Sequence, residues 1–464
     1  MRPDYSAQRF LVLGLGESGL AMARWLTRCG ATVRVADSRA TPPGVEALRT
    51  ACPLAEIVCG PFVPVLLDGV NTVALSPGLS INTPLLQEAH ARGIAVHGEI
   101  ELFARGLQAL GEDARCRILA ISGTNGKTTT TTLAGALVRA TGLDAAVAGN
   151  ISPSALDELM RRLDEKCLPA VWVLELSSFQ LEATSSLRAD AATVLNVTDD
   201  HLDRHGSMAQ YAAEKARVFD GIGVQVLNRQ DEWSLGMARA GRRVLSFGTD
   251  LPPGDEDFGV RERAGVRWLV QGDKALLPCA DLPLVGEHNI ANALAALALC
   301  TAIGLPMAPL LAALKTFRGL PHRVERVAQR EDGVVFYDDS KGTNVGATLA
   351  ALQGLGRKVV LIAGGDGKGQ DFSPLREAFR AHARAVVLIG RDAFRIETET
   401  AASGVVYHHA KSMEEAVEIA NQCALAGDVV LLSPACASLD MFRNYAHRAE
   451  VFITAVLALR GVAA

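Results

Sequence analysis

The run Ile118-Leu119-Ala120-Ile121, the turn Gly123-Thr124-Asn125-Gly126-Lys127-Thr128 and the helical pattern from Thr129 to Ala140 constrain the fold more than any other stretch. An apolar strand that enters a Gly-rich turn and leaves as a helix is the first half of a parallel βαβ unit. Glycines let backbone N–H groups approach phosphates, and the helix N-terminus adds positive partial charge. Lys127 can reach β/γ-phosphates, and the Thr128 hydroxyl can hold Mg²⁺. The general phosphate loop has four residues between its glycines; here there are two. The plain alternative is a Gly-rich βα turn with no ligand.

The same alternation of strand-like and helical runs continues almost throughout, which predicts an α/β protein with parallel sheets. Aromatics are only 5% of residues, which suits aliphatic sheets covered by helices. A chain of 464 residues accommodates two or three domains. A net charge of -5 leaves no electrostatic footprint for nucleic acid. Nine scattered cysteines without a CxxC pair argue for a reducing compartment and against a disulfide framework or zinc ribbon. Met1 to Gln8 is short and polar, so no signal peptide is read there. No apolar stretch reaches the roughly 18 residues of a membrane span. The expected class is a cytoplasmic protein without a membrane span.

Three blocks follow from where one strand series stops and the next begins. The expected boundaries are 1–105, 106–319 and 320–464. In the first, Phe10 to Leu13 enters Gly14-Leu15-Gly16-Glu17-Ser18-Gly19, with a helix to about Cys29 and a strand from Thr32 that ends at Asp37. The second opens with the phosphate loop and carries strands over 170–174 and 192–195 and a helix over about 290–301. Its segment 250–280, rich in Pro, Gly and charge, reads as a surface excursion. The third carries strands over 334–337, 358–363, 385–389 and 428–432.

Gly14-x-Gly16-x-x-Gly19 with Asp37 fits a dinucleotide fingerprint: a tight turn, close approach of a diphosphate, and an acid for a ribose hydroxyl. NAD, a ligand-free turn and the diphosphate of a nucleotide substrate all fit it. Glu175 ends an apolar strand beside the phosphate loop, which suits Mg²⁺; Ser177 and Ser178 after it also read as helix caps. Asp199-Asp200-His201-Leu202-Asp203-Arg204-His205 is an oxygen-rich cluster that suits Mg²⁺ better than zinc, or a solvated loop. Lys215 in a helical stretch is by pattern a surface lysine. His288-Asn289-x-x-Asn292 can read an adenine edge or cap a helix. Arg323, just past 319, can reach back to a phosphate. Three loops follow strands of the third block: Asp339 to Asn344, Gly364 to Lys368 and Ser433 to Ser438. They therefore converge on one sheet edge and suggest an anionic substrate, against ordinary turns. Cys436 reads as a small buried residue.

GTNGKT, ELSSFQLE, DDHLDRH, GEHNIANALAA, DDSKGTNVGAT, GGDGKG and LLSPACASLD, in that order, resemble the Mur ligase family, and the resemblance runs from Gly14 to Tyr445. The resemblance implies three domains: an N-terminal Rossmann-like one for a UDP-sugar, a central P-loop ATPase with a mostly parallel sheet, and a C-terminal Rossmann-like one for an amino acid. It favours substrate UDP over NAD at Gly14 to Gly19. It implies an ATP-dependent amide ligase that joins D-glutamate to UDP-N-acetylmuramoyl-L-alanine through an acyl phosphate. That reaction serves peptidoglycan synthesis, and so cell wall biogenesis, cell shape and cell division.

The resemblance also implies roles. Gly123, Thr124, Asn125, Gly126, Lys127, Thr128 and Thr129 would hold ATP, with Asn292 at the adenine, Asp339 at the ribose and Arg323 at the terminal phosphates. Two Mg²⁺ would be served by Thr128, Glu175, His201 and Lys215, the last carbamylated by CO₂. Lys127, His201, Lys215 and Arg323 would be catalytic. Gly14, Leu15, Gly16, Glu17, Ser18, Asp37, Ser38, Ser76, Asn150, Ser177 and His201 would meet the UDP-substrate. Thr343, Lys368, Ser438, Leu439 and Tyr445 would grip D-glutamate. A Gly usual after Asn150-Ile151 is here Ser152, and a usual Phe is Tyr445. The expected partners are these small molecules alone, bound by a monomer. The alternatives are a ligase of the same superfamily adding another amino acid or glutamylating folate, a nicotinamide dehydrogenase, and an ATP-gated binding protein. The DNPR motif of diaminopimelate-adding relatives does not occur.

Overall fold

Apolar strands alternating with helices build three sheets in chain order. The computed structural model describes residues 3–111, 115–284 and 286–463; Met1 and Arg2, the start of the polar N-terminal stretch, lie outside the described residues. The first sheet is all parallel, in the order Glu56–Cys59, Thr32–Asp37, Arg9–Leu13, Thr72–Leu75, Ala95–Gly98. The chain begins in the middle, moves to one edge, then crosses to the other. The switch lies between Arg9–Leu13 and Thr72–Leu75, where open α/β sheets bind ligands.

The second sheet has nine strands, and Arg117–Ser122 runs between Val171–Glu175 and Ala191–Val194, all parallel. The segment 250–280 is not an excursion. It adds the strands Phe258–Arg263, Val266–Gln271 and Lys274–Pro278, joined antiparallel at the sheet edge. Phe258, Leu269 and Leu277 face the core with at most 1% exposure, while charged neighbours face water. The polar outer face hid the period of two. Ala264 and Gly265, both at positive φ, form the tight turn between the first two of these strands.

The third sheet has seven strands. Val335–Asp338, Val429–Leu432 and Val359–Gly364 lie side by side and parallel, with Glu325–Arg330 antiparallel beyond. The loops after these three parallel strands therefore leave one edge, and they bond to one another. Asp339 N donates to Leu432 O at 2.8 Å, Gly364 N to Pro434 O at 2.9 Å and Ala435 N to Gly342 O at 3.0 Å.

The three parts are joined unequally. One apolar cluster runs from Phe10 and Trp25 through Phe103 to Leu156 and Trp172, so the first two sheets share a core. Phe103 meets Trp172 edge to face at 4.9 Å. Buried Glu99 accepts Leu156 N at 2.7 Å, and Glu101 accepts Ser185 N and Ser186 N at 2.7 Å. The third sheet has apolar clusters of its own. Its bonds to the central part include Arg323 to Thr128 and Asn344 to Asn125, which are polar and breakable in water.

Candidate active site

The Gly-rich turn at the end of the first strand builds a cleft of about 320 Å³. Gly14, Gly16, Glu17, Ser18, Asp37, Ser38 and Ser76 all line it. The glycines differ in purpose. A Cβ on Gly19 would lie 1.8 Å from Gly14 O, so that glycine serves helix–strand packing; Gly16 has nothing within 4 Å and faces open space. Leu15 is buried, and its N–H donates to Asp37 at 2.7 Å. Arg39 pairs with Asp37 at 2.6 Å and holds its carboxyl well below the usual carboxylate range. Arg39 lines the same cleft and was not foreseen: a lone Arg after a strand carries no motif.

The central strand Arg117–Ser122 delivers the phosphate loop into a cleft of about 660 Å³. Thr124, Asn125, Gly126, Lys127, Thr128, Asn150, Glu175 and His201 line it from the central part; Arg323, Lys341, Thr343 and Tyr445 line it from the third. Gly126 sits at φ 83° and packs so closely on Asn292 that a Cβ would lie 2.4 Å from its Oδ1. The helix Lys127–Ala140 starts there, its N-terminus aimed at the cleft. Lys127 Nζ donates to Gly123 O at 2.8 Å and Thr124 O at 2.9 Å. Burial lowers its pKa, opposed by Glu175. Arg323 donates to Thr128 Oγ1 at 2.6 Å, so the sequence-distant arginine does reach the loop.

Lys215 is not a surface lysine. It is 1% exposed, and its Nζ donates to Gly123 O at 2.8 Å, the carbonyl that also accepts Lys127. Burial, then the neighbouring Lys127, push its ammonium well below the usual range. The amphipathic pattern failed there because one polar residue on a buried face looks like noise.

Glu175 Oε1 accepts Asn150 Nδ2 at 3.0 Å. Its Oε2 is buried without a hydrogen-bond partner. A buried carboxylate oxygen left bare is costly unless a cation satisfies it. Beside Thr128, Asp200 and His201 in an oxygen-rich cleft, it fits a hard divalent ion such as Mg²⁺. His201 takes a left-handed φ of 56° and stands edge-on to Phe179 at 4.9 Å. Burial lowers its imidazole pKa, against the pull of Asp200, which favours the neutral ligand form.

A second cavity of about 250 Å³ adjoins the loop. Asn125, Gly126, Thr129, Phe247, His288, Asn289, Asn292, Arg323 and Asp339 are among its lining residues. Asn292 accepts Thr130 Oγ1 at 3.2 Å and donates to Asn289 at 3.2 Å, while Gly286 takes the helix-start position considered for Asn289. Asp339 accepts Ser433 Oγ at 2.7 Å, and burial pushes its carboxyl up to about 7.

Burial pushes the His288 imidazole down to about 4, against an Ala350 backbone bond, with Arg323 adding to the fall. The unfolded chain therefore takes up that proton first as pH falls. Stability from this group is complete above about 6.5 and drains away between 6.5 and 4. Across that window His288 lowers the thermal midpoint, against Asp339 and Glu99, whose carboxyls, pushed up to about 7, act with the opposite sign. His288→Gln is expected to remove this loss, about 3 kcal/mol at pH 4. His205, held down to about 4 by burial, contributes over the same range and remains. An unchanged slope in a pH series of melting curves would refute the assignment.

Other expected residues fall elsewhere. Lys368 lines a fourth cleft with Asp199, Asp200, His201 and Asp203, and Thr343 borders both it and the 660 Å³ cleft. Ser438 is buried and Leu439 exposed on the converging loop; neither lines these clefts. Ser177 caps the helix Ser178–Glu182 in a reciprocal capping box with Gln180, its hydroxyl bonded at 3.0 Å. Cys436 is fully buried, and burial pushes its thiol up. Lys341, whose Nζ lies 3.7 Å over the Tyr445 ring, was quoted in its motif but given no role.

Three family models match the chain in order: the MurD-like N-terminal domain of Mur ligases over residues 8–98, the Mur ligase middle domain over 121–300 and the Mur ligase glutamate ligase domain over 322–436. The chain is 60% identical over 462 residues to UDP-N-acetylmuramoylalanine--D-glutamate ligase of Aromatoleum aromaticum, covering 99% of each. It is 52% identical to the Nitrosomonas europaea protein of the same name, covering 98% of this chain and 97% of that one. Among solved structures, UDP-N-acetylmuramate-alanine ligase of Thermotoga maritima shares the fold at TM-score 0.59 and 19% identity, over 96% of this chain and 98% of that one. A pseudomurein peptide ligase type C of Methanothermus fervidus does so at TM-score 0.56 and 17% identity, over 96% and 99%.

Proposed function

The chain belongs to the Mur ligase family, and on that premise we propose that it joins the amine of D-glutamate to the L-alanyl carboxylate of UDP-N-acetylmuramoyl-L-alanine, with ATP as phosphoryl donor. The observation that carries the reading is the 660 Å³ cleft, where the phosphate loop and Glu175 face Arg323 and Thr343 of the third part. Residues 1–105 would bind the UDP-substrate, 106–319 ATP, and 320–464 the amino acid. One chain builds the whole cleft, which supports action as a monomer. None of the nine cysteines is in a disulfide, which supports a reducing, cytoplasmic setting. No helix among the described residues is long and apolar enough to cross a membrane.

A carboxylate resists an amine because its leaving group would be oxide. In the first step a carboxylate oxygen attacks the γ-phosphorus of ATP, the bond to the β-phosphate oxygen breaks, and ADP leaves. In the second the D-glutamate nitrogen attacks the acyl carbon, loses a proton, and the C–O bond to phosphate breaks. Phosphoryl transfer asks mainly for positioning and charge neutralisation. Lys127, Arg323 and the N-terminus of Lys127–Ala140 supply both from the protein. Mg²⁺ bound by Thr128, Glu175, His201 and a carbamate of Lys215 would offset the phosphate charge. Asn150, held to Glu175, would meet the acyl end of the UDP-substrate. Thr343 and Lys368, which share one cleft, would meet the carboxylates of D-glutamate. The polar junction between the central and third parts would let the latter open for substrates and close against water.

The direct test is phosphate release with ATP, Mg²⁺ and UDP-N-acetylmuramoyl-L-alanine against a panel of amino acids. Turnover is expected with D-glutamate alone. Preference for another amino acid would leave the family standing and overturn the specificity.

A further inference from the structure

Asn344 follows Thr343 in the loop after the strand Val335–Asp338 and is 8% exposed. Its side chain holds two bonds. Oδ1 accepts Ala347 N at 2.9 Å and so caps the helix Val345–Gly354. Nδ2 donates to Asn125 Oδ1 at 3.1 Å and lies 3.5 Å from Asp200 Oδ2. Asn125 belongs to the phosphate loop and is itself fixed. Its N–H donates to Asn196 Oδ1 at 2.8 Å, and its carbonyl accepts Asn196 Nδ2 at 3.1 Å. Gly346 presses on the same side: a Cβ there would lie 3.1 Å from Asn125 Nδ2 and 3.3 Å from Thr198 Oγ1.

We propose that Asn344 is a positioning residue that ties the amino-acid loop at Thr343 to the phosphate loop at Asn125, so that the phosphoryl-transfer geometry is completed only when the third part is seated. The proposal rests on the ligase reading above. Three features carry it. The bond crosses a junction without a shared apolar core, so it forms only when the two parts meet. Capping alone would be served equally by Ser or Asp, so the amide's second half has another use. Asp200 opposite favours a donor at this position, which Asp at 344 would not provide.

Asn344→Ser retains a cap but cannot span to Asn125. Its kcat is expected to fall about tenfold, the usual scale for one lost, well-placed hydrogen bond at a reacting site. The KM for the UDP-substrate, bound on the first sheet, and the thermal midpoint are expected to stay unchanged. Asn125→Ser is expected to cost a similar factor, and the double variant no more than either alone, the mark of one shared interaction. Gly346→Ala supplies an arm that keeps the capping side chain: the methyl would stand at ordinary contact distance, 3.5 Å, from Asn344 Oδ1 but only 3.1 Å from Asn125 Nδ2. Alanine favours the helix, yet the added methyl displaces the Asn125 amide, so kcat is expected to fall with no loss of stability. Wild-type kcat in Asn344→Ser, or a double variant whose loss is the product of the two single losses, overturns the proposal. Failure of the parent reading looks different: the unmodified enzyme itself forms no amide with D-glutamate, and the proposal falls with it.

Discussion

Lys127→Ala is expected to lower kcat about a thousandfold, the scale of losing a preorganised charge at a phosphoryl-transfer site. The KM for UDP-N-acetylmuramoyl-L-alanine is expected to change little, because the cleft on the first sheet is untouched. The physical case is in the surroundings of Nζ. Two loop carbonyls hold it at 2.8 and 2.9 Å, and burial destabilises its charged form. A cation held there is poised to exchange weak carbonyl partners for phosphate oxygens. Thermal stability without substrates is not expected to fall, since removing a desolvated charge offsets the lost bonds. Lys127→Arg is not a conservative change, because the planar fork does not fit a site shaped for a compact ammonium. The check is the rate of ADP and phosphate formation at saturating substrates. A rate within a few fold of the unmodified enzyme would sink the phosphate-cradle assignment.

The second large effect concerns Lys215. Its amine is buried, shares the Gly123 carbonyl with Lys127, and is pushed toward the neutral form by burial first and by that neighbour second. A neutral amine is the form that attacks CO₂: the nitrogen bonds to carbon, a proton leaves, and an anionic oxygen ligand replaces a potential cation. On the carbamate reading we expect Lys215→Ala to lose activity by about a thousandfold, because a metal ligand would disappear and its charge would not be replaced. A short carboxylic acid added to the alanine variant is expected to restore part of the rate, since it can occupy the vacated space with an equivalent oxygen. Lys215→Arg is expected to be as inactive and not rescued. Full activity in the alanine variant, or rescue by a short amine in place of the acid, would refute the carbamate.

Much of the architecture was legible before any coordinates. The phosphate loop, Glu175 and the three loops of the third sheet all sit at the C-terminal ends of apolar strands, and that placement follows from strand–turn–helix order alone. The strands at 250–280 were missed because charge on their outer face masked the alternation, although Phe258, Leu269 and Leu277 were visible in the sequence. Lys215 was misread for the related reason that burial is not a property of one residue's type. Ser177 was read two ways, and its local bonds are those of a helix cap. Arg39 carried no motif, although its partner Asp37 is two residues away. Lys341 and Asn344 stood in a loop the sequence singled out, but their own contacts, the Tyr445 ring and Asn125, are ones that only the fold brings near.

The amino-acid sequence by itself determined the strand order's raw material, the Gly-rich turns and the residue types able to hold phosphate, metal and carboxylate. These are local properties: backbone freedom at Gly126, hydrophobic period, and the chemistry of a Lys or Glu at a strand end. Only the tertiary structure decided which of them meet. It set Lys215 under Gly123, left one oxygen of Glu175 bare, brought Arg323 to Thr128 and Asn344 to Asn125, and gave the first two sheets a common core that the third lacks. Desolvation and shared partners set these charges and contacts, and both depend on every element packed around a group, not on its neighbours in the chain.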